Sequence, residues 1–73
     1  MKNYNEILRD LREDRDLTQE EVAKILNTSQ SYYAKYENGI RPMPIKHIRT
    51  LCLFYRVSAD YVLGLPKELQ WPR

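Results

Sequence analysis

Cysteine is almost missing from this 73-residue chain, where Cys52 stands alone beside a single histidine, His47. One thiol closes no internal disulfide, and no Cys/His cluster is available to hold a metal, so a reducing cytoplasm is the expected compartment. Long apolar runs are missing too. No stretch approaches the roughly 20 apolar residues that cross a bilayer, and the opening Met-Lys-Asn-Tyr-Asn-Glu lacks the apolar segment of a signal peptide. Nothing in the chain sets a nucleophile beside a base or gathers metal ligands, so neither an enzyme nor a cofactor is expected. Strand patterns, repeats and low-complexity segments are absent.

What is present suits one small helical domain. The apolar fraction of 42% can fill a compact bundle, near the lower size limit for a self-sufficient core. The net charge of +2 says little, but its distribution says more. Residues 1–28 carry five Lys/Arg against seven Asp/Glu, and residues 29–73 carry seven against three. The basic surplus begins near position 29.

Tyr4, Ile7, Leu8 and Leu11 follow the i, i+3, i+4, i+7 stripe of an amphipathic helix over residues 4–15, capped by Asn3 or Asn5. Asp16 breaks it, since Asp tolerates the left-handed backbone of a helix end. Thr18 and Glu21 then form a capping box, with Leu17 and Val22 placed as a hydrophobic staple. Helix two is expected from Gln19 to Leu26, with Val22, Ala23 and Leu26 inward and Ile25 joining at the edge. Asn27 stops it.

Ser29 caps helix three, Gln30 to Glu37, and Asn38-Gly39 ends it. Tyr33 and Tyr36 share its inner side, leaving Gln30, Ser31, Ala34 and Lys35 outward. Pro42 and Pro44 keep residues 40–43 out of any helix, and Pro44 suits the first position of helix four. Ile45, Ile48, Leu51, Cys52 and Tyr55 give that helix its stripe. Ser58 caps a short fifth helix with Tyr61, Val62 and Leu65 as apolar contacts, ended by Gly64 and Pro66. The expected fold is all-α, a compact bundle of five short helices over residues 1–65, followed by a short tail, 66–73. Leu69 and Trp71 suit that tail to dock on its own domain or on a second subunit.

Residues 18–39 thus hold two helices separated by a turn, with Ala23 at their closest approach. The pattern resembles the Cro and phage-repressor type of helix-turn-helix, the xenobiotic-response-element family with its lambda-repressor-like domain. The residues that carry the resemblance are Leu17-Thr18-Gln19-Glu20-Glu21-Val22-Ala23, Thr28-Ser29-Gln30-Ser31, Tyr36-Glu37-Asn38-Gly39 with Arg41-Pro42, and Val57 through Gly64. With Arg9 and Arg12, the match runs from about residue 4 to residue 65. Asn27 and Asp16 stand where the family often has Gly, and Tyr33 where it has Ile or Val.

The resemblance implies double-stranded DNA as partner, read in the major groove by helix three. Gln30, Ser31 and Lys35 fall at the family's base-reading positions, and Gln suits adenine as Lys suits guanine. Gln19, Ser29, Tyr32, Asn38 and Arg41 fall where the DNA backbone is contacted. Arg12 and Glu37 match a structural ion pair. The implied protein is a transcriptional regulator, most simply a repressor acting as a homodimer on a pseudo-palindromic operator, bacterial or phage-encoded and cytoplasmic. Helix five and the tail, with Phe54 and Trp71 as anchors, are the expected dimer surface. No small-molecule effector is evident.

Other readings stay open. An antitoxin-like or protein-interaction module could keep the same scaffold for its shape. Tyr32 could touch DNA or only shield the core edge. Lys46, His47 and Arg49 are placed on a solvated outer face of helix four, and Cys52 as a small core hydrophobe.

Overall fold

The computed structural model describes residues 2–65; the expected tail, 66–73, lies outside them. The described residues form five helices and no strand, in the order α1 (Tyr4–Asp14), α2 (Gln19–Ile25), α3 (Gln30–Glu37), α4 (Ile45–Tyr55) and α5 (Ala59–Leu63).

Local chemistry accounts for most of the boundaries. Asn3 is the N-cap of α1, and its N–H donates to Glu6 Oε1 at 3.1 Å. Thr18 and Glu21 exchange hydrogen bonds at 3.1 and 2.9 Å, so both ends of the α2 capping box are made. Hydrogen bonding of its carboxylate by the Thr18 N–H, and then by the Thr18 side chain, holds Glu21 below the usual Glu range. Ser29 and Ser58 each accept an N–H at 3.1 Å, from Tyr32 and Tyr61. Asp16 (φ 54°) and Asn27 (φ 58°) take the left-handed conformation at the ends of α1 and α2. The α2 helix ends one residue earlier than expected, with Leu26 as its cap, and Pro44 is the N-cap of α4 rather than its first residue.

The core gathers one face of every helix. Leu8 and Leu11 come from α1, Val22 and Ala23 from α2, and Tyr33 and Tyr36 from α3. Leu51, Cys52 and Tyr55 from α4 and Val62 from α5 close it, with Leu17 packed against the rim. Ala23 is fully buried, as close α2–α3 packing requires. Burial pushes the Cys52 thiol up, in keeping with a core residue.

Ile25 sits at the solvent edge, as expected, but two expected core positions are not there: Ile45 is 83% exposed and Tyr61 57% exposed. Each occupies a helical spacing that matches the stripe, but no neighbouring element covers it. Conversely, Met43, assigned only to a loop, is buried in the core. Its N–H donates to the Tyr4 hydroxyl at 2.9 Å, which draws the loop before α4 onto the start of α1.

Candidate nucleic-acid interface

The outer face of α3 presents Gln30, Ser31, Tyr32 and Lys35 to solvent, while Ala34 is half-buried. Its inner face is fixed by Tyr33 and Tyr36, so the four outward side chains are carried on a helix that cannot roll. The Tyr33 hydroxyl lies in the core with no hydrogen-bond partner of ordinary geometry among the described residues. Burial, with the nearby Glu37 charge, drives its ionisation well above the usual tyrosine range.

Polar contacts tie the reading end to the bundle. Arg12 Nε donates to Glu37 Oε2 at 2.7 Å and Nη2 to Oε1 at 3.2 Å, and the Glu37 side chain is fully buried. Hydrogen bonding to that carboxylate raises the Arg12 guanidinium above its usual value. Arg12 Nη1 also donates to the Leu17 carbonyl at 2.6 Å, which sets the entry to α2. Gln19 Nε2 donates to Glu37 Oε1 at 3.2 Å, and its own Oε1 accepts from Gln30 Nε2 at 2.7 Å. The series Arg12–Glu37–Gln19–Gln30 therefore runs from a buried charge pair to the first residue of the exposed face. Gln19, which the resemblance sets at the phosphate backbone, also links Glu37 to Gln30.

After α3 the chain turns through Gly39 at φ 74°, and the Lys35 carbonyl accepts both the Ile40 N–H at 2.9 Å and the Arg41 N–H at 3.2 Å. This brings Arg41 and Asn38 to the same end of the helix as Lys35. Arg41 Cζ stands 5.3 Å from the Tyr32 ring centroid and Lys35 Nζ 5.6 Å from it. Ser29 is exposed, with its Oγ engaged in capping α3. All eight residues expected at DNA, base-reading and backbone alike, lie on α3 or its N-cap, the start of α2 or the loop after α3.

Two positioning residues escaped the sequence reading. Asn5 Nδ2 donates to the Glu37 carbonyl at 3.0 Å, and Tyr4 holds Met43, so α1 grips the loop that carries Asn38 and Arg41 from both ends. Their partners lie 32 and 39 residues away, and no local pattern marks such pairs. His47 also differs from expectation. It is half-buried with its ring edge-to-face on Tyr36 at 5.8 Å, and burial followed by the Lys46 charge lowers its pKa. Lys46 and Arg49 are exposed as expected. No helix among the described residues is long and apolar enough to cross a membrane.

The chain matches the helix-turn-helix family over residues 8–62. It is 37% identical over 65 residues to an uncharacterised HTH-type transcriptional regulator, YobD, of Bacillus subtilis, covering 89% of this chain and 58% of that protein. It is 37% identical over 54 residues to the cryptic phage CTXphi transcriptional repressor RstR of Vibrio cholerae, covering 74% and 49%. Against the antitoxin PezA of Streptococcus pneumoniae it is 34% identical over 62 residues, covering 85% and 39%. The chain thus spans about half the length of the curated relatives it matches. No solved structure matches it significantly.

Proposed function

Because the chain belongs to the helix-turn-helix family of DNA-binding transcriptional regulators, we propose that it represses transcription by occupying an operator, without chemistry of its own. The observation that carries this reading is the exposed Gln30–Ser31–Lys35 face, anchored through Gln19 to the Arg12–Glu37 pair. Gln30 would read adenine and Lys35 guanine, with Ser31 permissive. Gln19, Ser29, Asn38 and Arg41 would meet the flanking phosphates, which fix register without carrying sequence.

One α3 spans only about four or five base pairs, too few for useful discrimination, so the protein acts as a two-fold homodimer on half-sites about one turn apart. The C-terminal face supplies the dimer surface. Between α4 and α5 lies an apolar groove lined by Ile45, Ile48, Cys52, Leu53, Val57 and Leu63. Ile45, Leu53 and Leu63 are exposed there, and Phe54, an expected anchor, is exposed on α4 without lining the groove. A second copy of this face is the occupant that the half-site arithmetic requires. Trp71, the other expected anchor, lies outside the described residues. The protein works in the cytoplasm of a bacterium, on a chromosomal or phage operator.

Selection from a pool of random-sequence duplexes, followed by binding over a range of salt, tests the proposal. A palindromic consensus and a steep salt slope are expected. Lys35→Ala should relax preference at one base position, and Arg41→Ala should weaken binding to all sequences alike. Binding without sequence selection would sink the regulator reading. It would favour the second one, an antitoxin-like interaction module, which the likeness to PezA supports.

A further inference from the structure

Tyr32 is 40% exposed on the outer face of α3, yet its ring is not free. It packs edge-to-face on Tyr36 at 5.7 Å, and Tyr36 is buried and meets His47 in the same way at 5.8 Å. Three rings therefore run in a row from α4 to the reading face, and the last of them is held by the middle one.

Two cations converge on that last ring. Lys35, one helical turn along, brings its ammonium to 5.6 Å from the centroid, and Arg41 brings its guanidinium to 5.3 Å, both inside cation–π range. Among the described residues neither cation is paired with a carboxylate. The backbone adds a second restraint, since the Arg41 N–H is bonded to the Lys35 carbonyl. Two like charges on neighbouring long side chains would otherwise drift apart and sample many rotamers, freedom that is lost on binding.

We propose that Tyr32 is a positioning residue for DNA recognition: its ring gathers Lys35 and Arg41 into one pre-arranged cationic unit. This rests on the regulator reading above. The base-reading ammonium and the phosphate-clamping guanidinium then reach the duplex together, and sequence preference is coupled to backbone affinity through a residue that itself reads nothing. Tyr32 stands in contact with both cations, so its effect passes through them rather than through its hydroxyl.

The test uses the selected consensus duplex and a scrambled duplex of the same length. Tyr32→Leu keeps apolar bulk but removes the π face, and should weaken consensus binding by roughly tenfold. It should also flatten the preference at the base that Lys35 reads, and should combine less than multiplicatively with Lys35→Ala. Tyr32→Phe keeps the ring and should rescue both properties. If Tyr32→Phe is as damaging as Tyr32→Leu, the hydroxyl touches DNA directly and the proposal is overturned. Full binding by Tyr32→Leu overturns it as well.

An independent reading needs no variant. In the free protein, proton NMR should show the Lys35 Hε and Arg41 Hδ resonances displaced upfield by the Tyr32 ring current. Unshifted resonances would overturn the gathering itself. If the unaltered protein binds no duplex at all, the regulator reading fails, while the ring-current shifts still decide whether the unit exists.

Discussion

Arg12 and Glu37 lie 25 residues apart and meet at two points, 2.7 and 3.2 Å, joining the first helix to the last turn of the third. The Glu37 side chain is wholly buried and that of Arg12 is 12% exposed. Removing either partner strands the other charge in a low-dielectric site, so Arg12→Ala or Glu37→Ala should each cost about 3–5 kcal/mol. Arg12→Met combined with Glu37→Leu should recover most of that loss. Urea denaturation of the three variants reads the difference; additive losses in the double variant would show that shape, not charge, dominates.

Alkaline pH should unfold the protein through its buried tyrosines. Burial pushes Tyr55 up to about 12 and Tyr33 further still, from an ordinary value of 10.0. The folded state thus favours the neutral phenols. Their contribution is complete below pH 10.0 and is lost as pH rises through the folded values. Thermal melts followed by tyrosinate absorbance should show ionisation and unfolding together. The Tyr55 hydroxyl lacks a partner among the described residues, so Tyr55→Phe should be neutral or stabilising by about 1 kcal/mol and should weaken the alkaline loss.

The left-handed turns give two changes of opposite sign. Gly39 holds φ 74°, and an added Cβ would lie 3.3 Å from Asn5 Nδ2, so the Asn5 side chain would have to give by a few tenths of an ångström. Gly39→Ala should cost about 1–2 kcal/mol. Arg56 sits at φ 58° as the cap of α4, where an ordinary side chain is strained. Arg56→Gly should gain about 0.5–1 kcal/mol, the relief of strain outweighing the extra freedom of the unfolded chain. Denaturant midpoints measured at constant slope separate the two.

The α4–α5 groove gives a test of assembly. Leu53 is 66% exposed on its rim, so Leu53→Glu should leave the helical content and melting temperature nearly unchanged. In sedimentation, the unaltered protein should form a dimer and the variant a monomer. The variant should lose affinity for a full palindrome but not for an isolated half-site. Equal dimerisation by both would place the two-fold contact elsewhere.

The parts of this fold that could be read in advance are those whose cause lies within a few residues. Thr18 with Glu21, Ser29, Ser58, Asp16 and Asn27 each act on the backbone beside them, and the helices begin or end where they stand. Arg56 carries no such mark: it takes the left-handed turn between α4 and α5 although an arginine side chain does not favour it. Ile45 was misplaced because helical spacing identifies a stripe without saying how far along it the neighbouring helices reach. The outward face of α3 was legible because Tyr33 and Tyr36 are large and inward. The polar series through Gln19 was not, since it depends on how α1, α2 and α3 meet.

Glu37 also bears on how the protein moves. Its carbonyl accepts from Asn5 of α1, and its carboxylate binds Arg12 of α1 and Gln19 of α2. The third helix therefore cannot fray at this end without undoing contacts to both neighbours. Amide protons of α1, α2 and α3 should exchange with solvent as one cooperative unit, close to the global unfolding limit. On the proposed function, a helix held this way would meet every duplex with the same backbone shape. What differs between one site and the next must then lie in the bases and in the bending of the DNA.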